Sequence, residues 1–371
     1  MTETEFPHEP DLIYLNHAGV SPWPRRTAEA VQRFAEANLR EGARDYPAWL
    51  EVEAALRGRL ARLINAPSSS DIALVKNTSE GLSLVAYGLD WQAGDAVVIN
   101  KQEFPSNRIV WESLRARYGV EVRDVDLNNA ETPEAALCAA LDQRVKVLAV
   151  SSVQYGSGLR MDLERLAEAC RRTGTLLCVD GIQSLGALRF DAQALNADFV
   201  IADGHKWMLG PEGIGLFYSR PEARDRLRLN QFGWHMVAAA GDFDRKDWEP
   251  ARDARRFEAG SPNMVGIHGL EASLSLLEEI GAAEVERRVM SNADYLLRRI
   301  RAHPKLEALT PARHAGIVTF RVQGREPAEV YRGLMRNGVV CASRGGGIRF
   351  SPHFYNTPDQ LDEALERALR T

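Results

Sequence analysis

Two apolar segments each lead into residues that could carry chemistry. Residues 176–179 are uniformly apolar and end at Asp180, and Gln183 follows shortly after. Residues 199–202 form a second apolar run, which leads to Lys206. A lysine amine can condense with an aldehyde, and a carboxylate at a strand end can keep a ring nitrogen protonated. The two segments therefore favour chemistry on a cofactor that carries an aldehyde and a nitrogen ring.

Pyridoxal phosphate (PLP) needs this combination, and it also needs a site for its phosphate. Residues 76–81 lie between an apolar run and a helix-like stretch, and they include Thr78 and Ser79. Either residue could cap that helix. The exposed N–H groups and hydroxyls at the start of a helix bind phosphate well.

Strand-like and helix-like patterns alternate around these segments. The strand-like runs are nearly uniformly apolar, which is typical of strands covered on both faces, and they lie at residues 72–75, 96–99, 145–150, 176–179, 199–202 and 215–218. Helical spacing appears between many of them, at residues 82–89, 109–118, 133–141 and 163–172. This rhythm predicts an α/β domain with a mostly parallel sheet.

The order of elements changes after about residue 260. The predicted elements there are helices at 264–280, 283–300 and 328–337, strands at 317–322, 339–343 and 348–351, and a final helix from 358. We expect a large domain over residues 21–260 and a smaller α+β domain over residues 261–371. Residues 1–20 are predicted to pack on the small domain. Ligands favour the cleft between such domains and the carboxyl ends of the strands.

The amino-acid composition limits the classes of protein and of binding partner that fit this chain. The chain has 371 residues, 45% of them hydrophobic, and a formal net charge of −5. A large core is available, and no basic excess points to nucleic acid or to an anionic membrane. Residues 1–10 are acidic and polar, unlike a signal peptide. No apolar run approaches the roughly 20 residues that span a bilayer.

The cysteines and histidines form no pattern typical of a metal site. There is no CxxC motif, and the cysteines are Cys138, Cys170, Cys178 and Cys341. They are predicted to be free thiols, which suits a reducing cytoplasm. We therefore expect a cytoplasmic protein without a metal site.

At the level of these motifs, the chain resembles the class V aminotransferase family of PLP-dependent enzymes. Relatives in that family include cysteine desulfurases, selenocysteine lyases, isopenicillin N epimerase and kynureninase. The resemblance covers nearly the whole chain, from residues 14–19 to residues 355–357, and Asp180…Gln183 with His205–Lys206 is its specific part. It implies fold type I, with a large domain built on a mostly parallel seven-stranded sheet and a smaller α+β C-terminal domain.

The resemblance also implies roles for individual residues. Lys206 would carry PLP as a Schiff base and move the proton at the substrate's Cα, while Asp180 pairs with the pyridine nitrogen. Gln183 would contact the phenolic oxygen of the ring. Phe104 occupies the position of a stacked aromatic ring, where many relatives have histidine, so it keeps stacking but has no proton-transfer role. The implied phosphate contacts are His205, Thr78 and Ser79.

Further implied residues concern the substrate and a second subunit. Arg349 matches the arginine that binds the substrate's α-carboxylate, for which a guanidinium fork is well suited. Gly260 and Ser261 match a loop that reaches the partner subunit's phosphate, so a homodimer with shared sites is expected. Other predicted substrate contacts are Asn16, His17, Gln154 with its neighbour Tyr155, and Trp234.

Two departures from the family pattern affect the prediction. Desulfurases carry a nucleophilic cysteine on a loop before the arginine, whereas the corresponding segment of this chain is short and has only Cys341, which we expect to pack in the core. Asp203 replaces a small donor such as serine, and it could orient His205 or pair with another group. Residues 344–347 are predicted to form a flexible turn.

The sequence predicts an enzyme that removes the Cα proton of an amino acid, and it leaves the next step open. Transamination, as in the class V aminotransferases, is the first expectation. A β-eliminating C–S or C–Se lyase and an amino-acid epimerase are the alternatives, since all share the same residues. A non-catalytic PLP-binding regulator is disfavoured by the intact Lys206, Asp180 and Arg349. A nicotinamide oxidoreductase is disfavoured because residues 77–81 form no glycine-rich turn.

Overall fold

The computed structural model describes residues 2–371, which form an α/β fold with two main sheets. The strands are β1 (Ile13–Tyr14), β2 (Ile72–Val75), β3 (Ala96–Asn100), β4 (Glu121–Val125), β5 (Val145–Ser151), β6 (Leu176–Asp180), β7 (Phe199–Asp203), β8 (Gly215–Ser219), β9 (Leu306–Ala308), β10 (Val318–Val322), β11 (Val339–Val340), β12 (Ala342–Arg344) and β13 (Gly347–Phe350). The helices are α1 (Thr2–Glu5), α2 (Arg25–Glu41), α3 (Tyr46–Leu63), α4 (Thr78–Gly88), α5 (Ser106–Glu112), α6 (Leu114–Tyr118), α7 (Pro133–Ala139), α8 (Leu163–Thr173), α9 (Ala192–Leu195), α10 (Pro221–Arg224), α11 (Met264–Ile280), α12 (Ala282–Ala302), α13 (Pro327–Arg336) and α14 (Pro358–Arg370).

The large sheet has seven strands in the order β2-β8-β7-β6-β5-β3-β4. Strands β7, β6, β5, β3 and β4 run parallel, and β8 runs antiparallel between β2 and β7. Two separate clusters of buried apolar residues cover the sheet, because its strands are apolar on both faces. The predicted mostly parallel seven-stranded sheet is thereby confirmed.

The carboxyl edge of this sheet brings together residues that are far apart in the sequence. Ser151 at the end of β5 lies opposite Asp180 at the end of β6, and Asp180 lies opposite Ile201 of β7. Lys206 follows β7, and Thr78 begins the helix after β2. Side chains from separate strands can therefore meet at one edge, where open α/β sheets bind their ligands.

The smaller sheet has the order β12-β13-β10-β9 and is antiparallel. A third apolar cluster joins it to helices α12, α13 and α14. The N-terminal strand β1 pairs with β11 of this smaller unit, whereas helix α1 packs on α2 of the large unit, where Glu5 ion-pairs with Arg26. Helix α11 packs instead on α2 and α3 of the large unit. The domain division at residue 260 stays a proposal, and this packing favours a boundary near Gly281.

Several predicted elements differ from those observed. The predicted helix at 109–118 is two helices, α5 and α6, that meet at Ser113, whose hydroxyl bonds to the carbonyl of Val110 over 2.6 Å. Strand β4 was not predicted because its residues are polar and partly exposed, as suits a sheet edge. In residues 2–371, no helix has both the length and the apolar character needed to cross a membrane.

Candidate active site

A cleft of about 310 Å³ opens at the carboxyl edge of the large sheet, and the smaller sheet closes one side of it. It brings together most of the residues that the sequence predicts for a site. The predicted residues that line it are Asn16, Thr78, Ser79, Phe104, Asp180, Gln183, His205, Lys206 and Arg349.

Asp180 and Lys206 form the centre of the cleft, and both are almost completely buried. Burial raises the pKa of Asp180 to about 7, since little water reaches the carboxylate. Burial likewise lowers the pKa of Lys206 to about 8, although the negative charge of Asp180 opposes this change. The backbone N–H of Ile182 donates to Asp180 over 3.0 Å and keeps the carboxyl group in place. The cleft thus holds an amine that loses its proton readily, together with a buried acid.

Phe104 forms a wall of the cleft beside the lysine. The Nζ atom of Lys206 lies 5.4 Å from the centre of the Phe104 ring, and Tyr155 meets the same ring edge-on at 5.2 Å between centroids. The preceding residue, Glu103, is buried and accepts hydrogen bonds from the backbone of Ser151 over 2.8 Å and from Asn107 over 3.0 Å. This anchorage holds the Phe104 backbone against the sheet.

One end of the cleft offers polar atoms that suit a phosphate. The hydroxyl of Thr78, at the first turn of α4, and Nδ1 of His205 are buried and have no hydrogen-bond partner among residues 2–371. The hydroxyl of Ser79 donates to Ser106 over 2.9 Å. Neither Thr78 nor Ser79 caps the helix as predicted; Asn77 does, because its side chain accepts from the N–H of Glu80 over 2.9 Å. Thr78 is consequently free to face a ligand.

Asp203 lies beside His205 at this end of the cleft. Oδ1 of Asp203 and Nδ1 of His205 are 3.1 Å apart, but the two groups are not aligned for a hydrogen bond. Of the two roles expected for Asp203, the structure favours orientation of His205.

At the opposite end, Arg349 joins the small unit to the cleft. Its Nη1 donates to the carbonyl of Tyr155 over 2.8 Å, and its Nη2 donates to the amide oxygen of Asn16 over 3.3 Å. Burial, together with the nearby charge of Arg344, lowers the pKa of Arg349 to about 10. Its Nε atom has no partner within the described part of the chain. The Arg349 guanidinium is buried, and its two hydrogen-bond acceptors are neutral oxygen atoms rather than carboxylates. It is therefore suited to an anionic ligand.

Gln183 lines the cleft, and both the nitrogen and the oxygen of its side-chain amide are hydrogen-bonded within the chain. The amide nitrogen donates to the carbonyl of Ala18 over 3.0 Å, and the amide oxygen accepts from the indole of Trp207 over 2.9 Å. The side chain is therefore fixed in orientation, and its contact with a ring oxygen remains a prediction.

Three predicted substrate residues do not line the cleft. His17 is fully buried, with Nδ1 donating to the Ser351 carbonyl over 2.8 Å and Nε2 accepting from the Tyr355 hydroxyl over 2.7 Å. The amide of Gln154 donates to Glu103 over 3.2 Å, beneath the site. Both side chains make internal hydrogen bonds and neither lines the cleft of its own chain, so their substrate contacts stay predictions.

Trp234 is the third of these residues, and it lies in a separate surface hollow. Its ring packs at 5.8 Å from that of Phe243, and Phe232 and Trp248 complete the hollow. Gly260 and Ser261 are also exposed and do not line the cleft of their own chain. Their predicted role concerns a partner subunit's site and stays a prediction.

The cleft also contains one further predicted residue, Tyr155, and two residues that the sequence did not assign to the site, Ser106 and Arg344. Tyr155 rather than Gln154 faces the cleft, and Ser106 and Arg344 line it as well. Polar residues directly after a strand indicate positions at the edge of the cleft. The sequence does not show which of two adjacent residues faces the cleft, because that depends on the conformation of the turn after the strand. Arg344 could have been found from its place on a hairpin with Arg349.

No cysteine lines the cleft in the described residues 2–371. Cys341 lies in the apolar cluster of the small unit, as expected, and burial raises its pKa to about 12. Cys170 and Cys178 are buried, and Cys138 is half-buried. A thiol with a raised pKa is a poor nucleophile, because the thiolate is the reactive form.

A second cluster of titratable groups lies away from the cleft. Glu53, His235 and Glu258 place three potential metal ligands close together. Arg57 ion-pairs with Glu53, and its Nη2 donates to Glu258 over 2.7 Å. The guanidinium already supplies the positive charge, so we assign this cluster a structural role.

Residues 13–363 match the family model described as aminotransferase class-V. The chain belongs to the aminotransferase class-V family. This family consists of PLP-dependent enzymes, so the resemblance expected from the motifs around Asp180 and Lys206 is confirmed.

Curated relatives from this family carry desulfurase names. A probable cysteine desulfurase of Methanothermobacter thermautotrophicus is 30% identical over 382 residues, which cover 96% of this chain and 94% of the relative. A cysteine desulfurase of Klebsiella pneumoniae is 31% identical over 328 residues, which cover 84% of this chain and 80% of the relative. The aminotransferase class-V fold is also seen in the cystine C–S lyase C-DES, solved in complex with its reaction product cysteine persulfide. That structure has a TM-score of 0.91 and 24% identity and covers 98% of this chain and 99% of its own.

The residues of the cleft fit the cofactor of an aminotransferase class-V enzyme. The unpartnered hydroxyl of Thr78 and Nδ1 of His205 suit a phosphate. Asp180 and Lys206 lie in the same cleft as these two residues. An acid for a ring nitrogen, an amine for an aldehyde and polar groups for a phosphate are thus present together.

Proposed function

We propose that this protein is a PLP-dependent C–S lyase that eliminates sulfur from the β-carbon of a cysteine-type amino acid. The observation that carries the proposal is the composition of the cleft. It contains the buried pair Asp180 and Lys206 and the buried arginine Arg349, but no thiol among the residues that the structure describes. The names of the curated relatives favour a sulfur amino acid as substrate.

PLP, when bound, supplies an aldehyde that condenses with amines and a ring that draws electron density from the substrate's Cα. Asp180 would hold a proton on its ring nitrogen. Thr78, Ser79 and His205 would hold its phosphate, Phe104 would pack on its ring, and Gln183 would contact its ring oxygen. Arg349, with Asn16, binds the substrate's α-carboxylate.

Lys206 performs the proton transfer in this proposal. With its pKa lowered to about 8, roughly a tenth of the amine is neutral at pH 7, far more than for an exposed lysine, and the neutral amine can accept the Cα proton. The Cβ–S bond then breaks, and its electron pair leaves with sulfur. Addition of water releases the remainder as pyruvate and ammonia, so the overall reaction consumes one water and yields a thiol, or a persulfide when the substrate is a disulfide such as L-cystine.

The missing thiol separates this reaction from desulfuration through a protein persulfide. In that route a cysteine side chain attacks the substrate sulfur, as the desulfurase motif implies. Burial raises the pKa of Cys341 to about 12 and keeps it in the core. Direct elimination needs no such nucleophile, so it is the reaction that these residues support best. It replaces transamination as our leading hypothesis.

A homodimer and a cytoplasmic location are part of the proposal. Gly260 and Ser261 are exposed and outside their own chain's cleft, as expected if they complete the phosphate site of a partner subunit. The four free cysteines suit a reducing compartment.

Product analysis tests the reaction. The purified protein, loaded with PLP, would be incubated with L-cystine and with L-cysteine, and pyruvate, ammonia and alanine would be quantified. We expect pyruvate and ammonia in equal amounts, and none from the Lys206→Ala variant. Alanine in place of pyruvate would contradict elimination and support desulfuration. Turnover that requires an added keto acid would support transamination instead.

A further inference from the structure

One short stretch of backbone near the N-terminus connects the two ends of the cleft. The amide oxygen of Asn16 accepts a hydrogen bond from Nη2 of Arg349 over 3.3 Å. Two residues further on, the carbonyl of Ala18 accepts from the side-chain amide of Gln183 over 3.0 Å. The proposed substrate end and the proposed cofactor end are therefore joined through consecutive residues, and His17 lies between them.

The side chain of His17 does not line the cleft and instead contacts the C-terminal part of the small unit. It is fully buried, with Nδ1 donating to the carbonyl of Ser351 over 2.8 Å and Nε2 accepting from the hydroxyl of Tyr355 over 2.7 Å. Ser351 also holds the backbone on both sides of the histidine. Its hydroxyl accepts from the N–H of Ala18 over 3.0 Å, and its own N–H donates to the carbonyl of Leu15 over 2.8 Å.

The two hydrogen-bond partners of His17 require a neutral imidazole. The carbonyl of Ser351 can only accept, so Nδ1 must carry the proton, and Nε2 is then the acceptor for the Tyr355 hydroxyl. Burial, together with the neighbouring His353, lowers the pKa of His17 well below its ordinary value of 6.5. The ring is therefore a fixed bridge with one donor and one acceptor, rather than a carrier of protons.

A second buried histidine connects this bridge to the backbone beside the cofactor lysine. His353 packs edge-on against His17, at 5.2 Å between ring centroids, and its Nε2 donates to the carbonyl of Trp207 over 3.0 Å. Trp207 directly follows Lys206, and its indole donates to the amide oxygen of Gln183 over 2.9 Å. The small unit thus contacts Gln183 both through the backbone beside His17 and through this indole.

We propose that His17 is a positioning residue, which fixes the backbone around Asn16 and so aligns Arg349 for the substrate's α-carboxylate. This inference rests on the proposed function and adds a residue that touches neither substrate nor cofactor. The bond from Gln183 to the same stretch of backbone keeps the carboxylate end at a constant distance from the cofactor end. Loss of His17 should therefore impair recognition of the carboxylate more than recognition of the amine.

Binding of two amines to the PLP-loaded protein tests this selectivity. L-Alanine has an α-carboxylate, whereas ethylamine has none, and the cofactor's visible absorbance follows the binding of both. We expect His17→Leu to weaken L-alanine about tenfold, as for a misaligned charge-assisted hydrogen bond, and to leave ethylamine within about twofold. Equal weakening of both amines, or no weakening of either, would overturn the assignment.

Three further variants separate positioning from a general loss of stability. His17→Asn keeps a donor close to the place of Nδ1 and should restore most of the affinity for L-alanine. Tyr355→Phe removes only the donor to Nε2 and should weaken L-alanine about threefold, as for one neutral hydrogen bond. His314→Leu is the matched control, because His314 is buried outside the cleft and its Nδ1 also bonds to a backbone carbonyl, over 2.9 Å. It should lower the Tm without changing the ratio of the two affinities.

These titrations need bound PLP but no cleavage, so they separate failure of this inference from failure of the proposed reaction. If L-cystine gives no pyruvate but His17→Leu still loses L-alanine selectively, the reaction is wrong and the assignment of His17 stands. If the wild type cleaves L-cystine, His17→Leu should raise KM about tenfold with kcat within about threefold, as for a loss of binding alone. An unchanged KM together with a lowered kcat would contradict the role of His17 in aligning Arg349.

Discussion

The amine of Lys206 and the ring of Phe104 lie 5.4 Å apart, although they follow different strands of the large sheet. The backbone of Phe104 is held in place because the preceding residue, Glu103, accepts hydrogen bonds from Ser151 and Asn107. Lys206 is held by its place directly after β7. The space between amine and ring is therefore set by the sheet itself, and a planar cofactor ring would lie against Phe104.

Replacing Phe104 by alanine should weaken PLP binding by up to about tenfold, because aromatic stacking contributes roughly 0.5–1.5 kcal/mol. The dissociation constant would be measured by absorbance titration of the cofactor-free protein. Phe104→Tyr should bind nearly as well as the wild type. Phe232→Ala, at an exposed aromatic outside the cleft, is the control, and an equal loss there would argue against stacking.

Asp180→Asn should stabilise the cofactor-free protein at high pH. The pKa of Asp180 is raised from an ordinary value near 3.8 to about 7, so its contribution to stability is present below about pH 4 and is lost as pH rises through about 7. Asparagine keeps the size and the acceptor for Ile182 but has no charge. The difference in Tm between variant and wild type should therefore grow from pH 5 to pH 8. A constant difference would mean that Asp180 is not buried as a neutral acid.

The same substitution should reduce turnover of the loaded enzyme by roughly 100-fold or more, the usual scale for losing one preorganised electrostatic group. Steady-state pyruvate production would be compared at saturating substrate. The bound cofactor would be quantified in parallel, so that a loss of turnover is not confused with a loss of PLP. Full turnover in a loaded Asp180→Asn variant would contradict the assignment of Asp180 to the ring nitrogen.

Covalent loading of PLP should follow the titration of Lys206. Because burial lowers the pKa of Lys206 to about 8, the loading rate should rise with pH up to about 8 and then level off. The charge of Asp180 keeps the proton on Lys206, so Asp180→Asn should move the whole profile to lower pH. Stopped-flow absorbance measures both profiles. A midpoint near pH 10.5, as for an exposed lysine, would contradict the burial argument.

Cys341→Ala should leave pyruvate production within about twofold of the wild type. The thiol lies in the core and its pKa is raised to about 12, so it is not a nucleophile at neutral pH. Cys170→Ala, at a second buried cysteine whose pKa is also raised to about 12, controls for the cavity that each substitution creates. Loss of sulfur release in Cys341→Ala alone, with melting temperature and bound PLP unchanged, would restore the persulfide route.

The large sheet and the centre of the site could be predicted from local patterns. Asp180 and Lys206 each follow an apolar run, and the carboxyl ends of parallel strands meet at one edge. The same reasoning found Thr78 because it follows a strand and begins a helix. It did not identify Asn77 as the cap, since several neighbouring residues have side chains that can cap a helix.

Other parts of the site depend on tertiary contacts that no local pattern encodes. Gln154 and Tyr155 are adjacent, and only the bond from Gln154 to Glu103 shows which of them turns away from the cleft. His17 is polar and near the site in sequence, yet Ser351 and Tyr355, more than 300 positions away, occupy both of its ring nitrogens. Strand β4 was missed because an edge strand lacks the apolar pattern of buried strands.

The bond between Asn16 and Arg349 joins residues 333 positions apart, and β1 pairs with β11 close by. During synthesis, residues 13–16 leave the ribosome more than 300 positions before their partners, so these contacts form only when β11 and β13 have been made. A nascent chain that ends before β13 contains Lys206 and Asp180 but lacks Arg349. The proposed cofactor end and the proposed substrate end of the site therefore cannot be assembled together until the last strands have been synthesised.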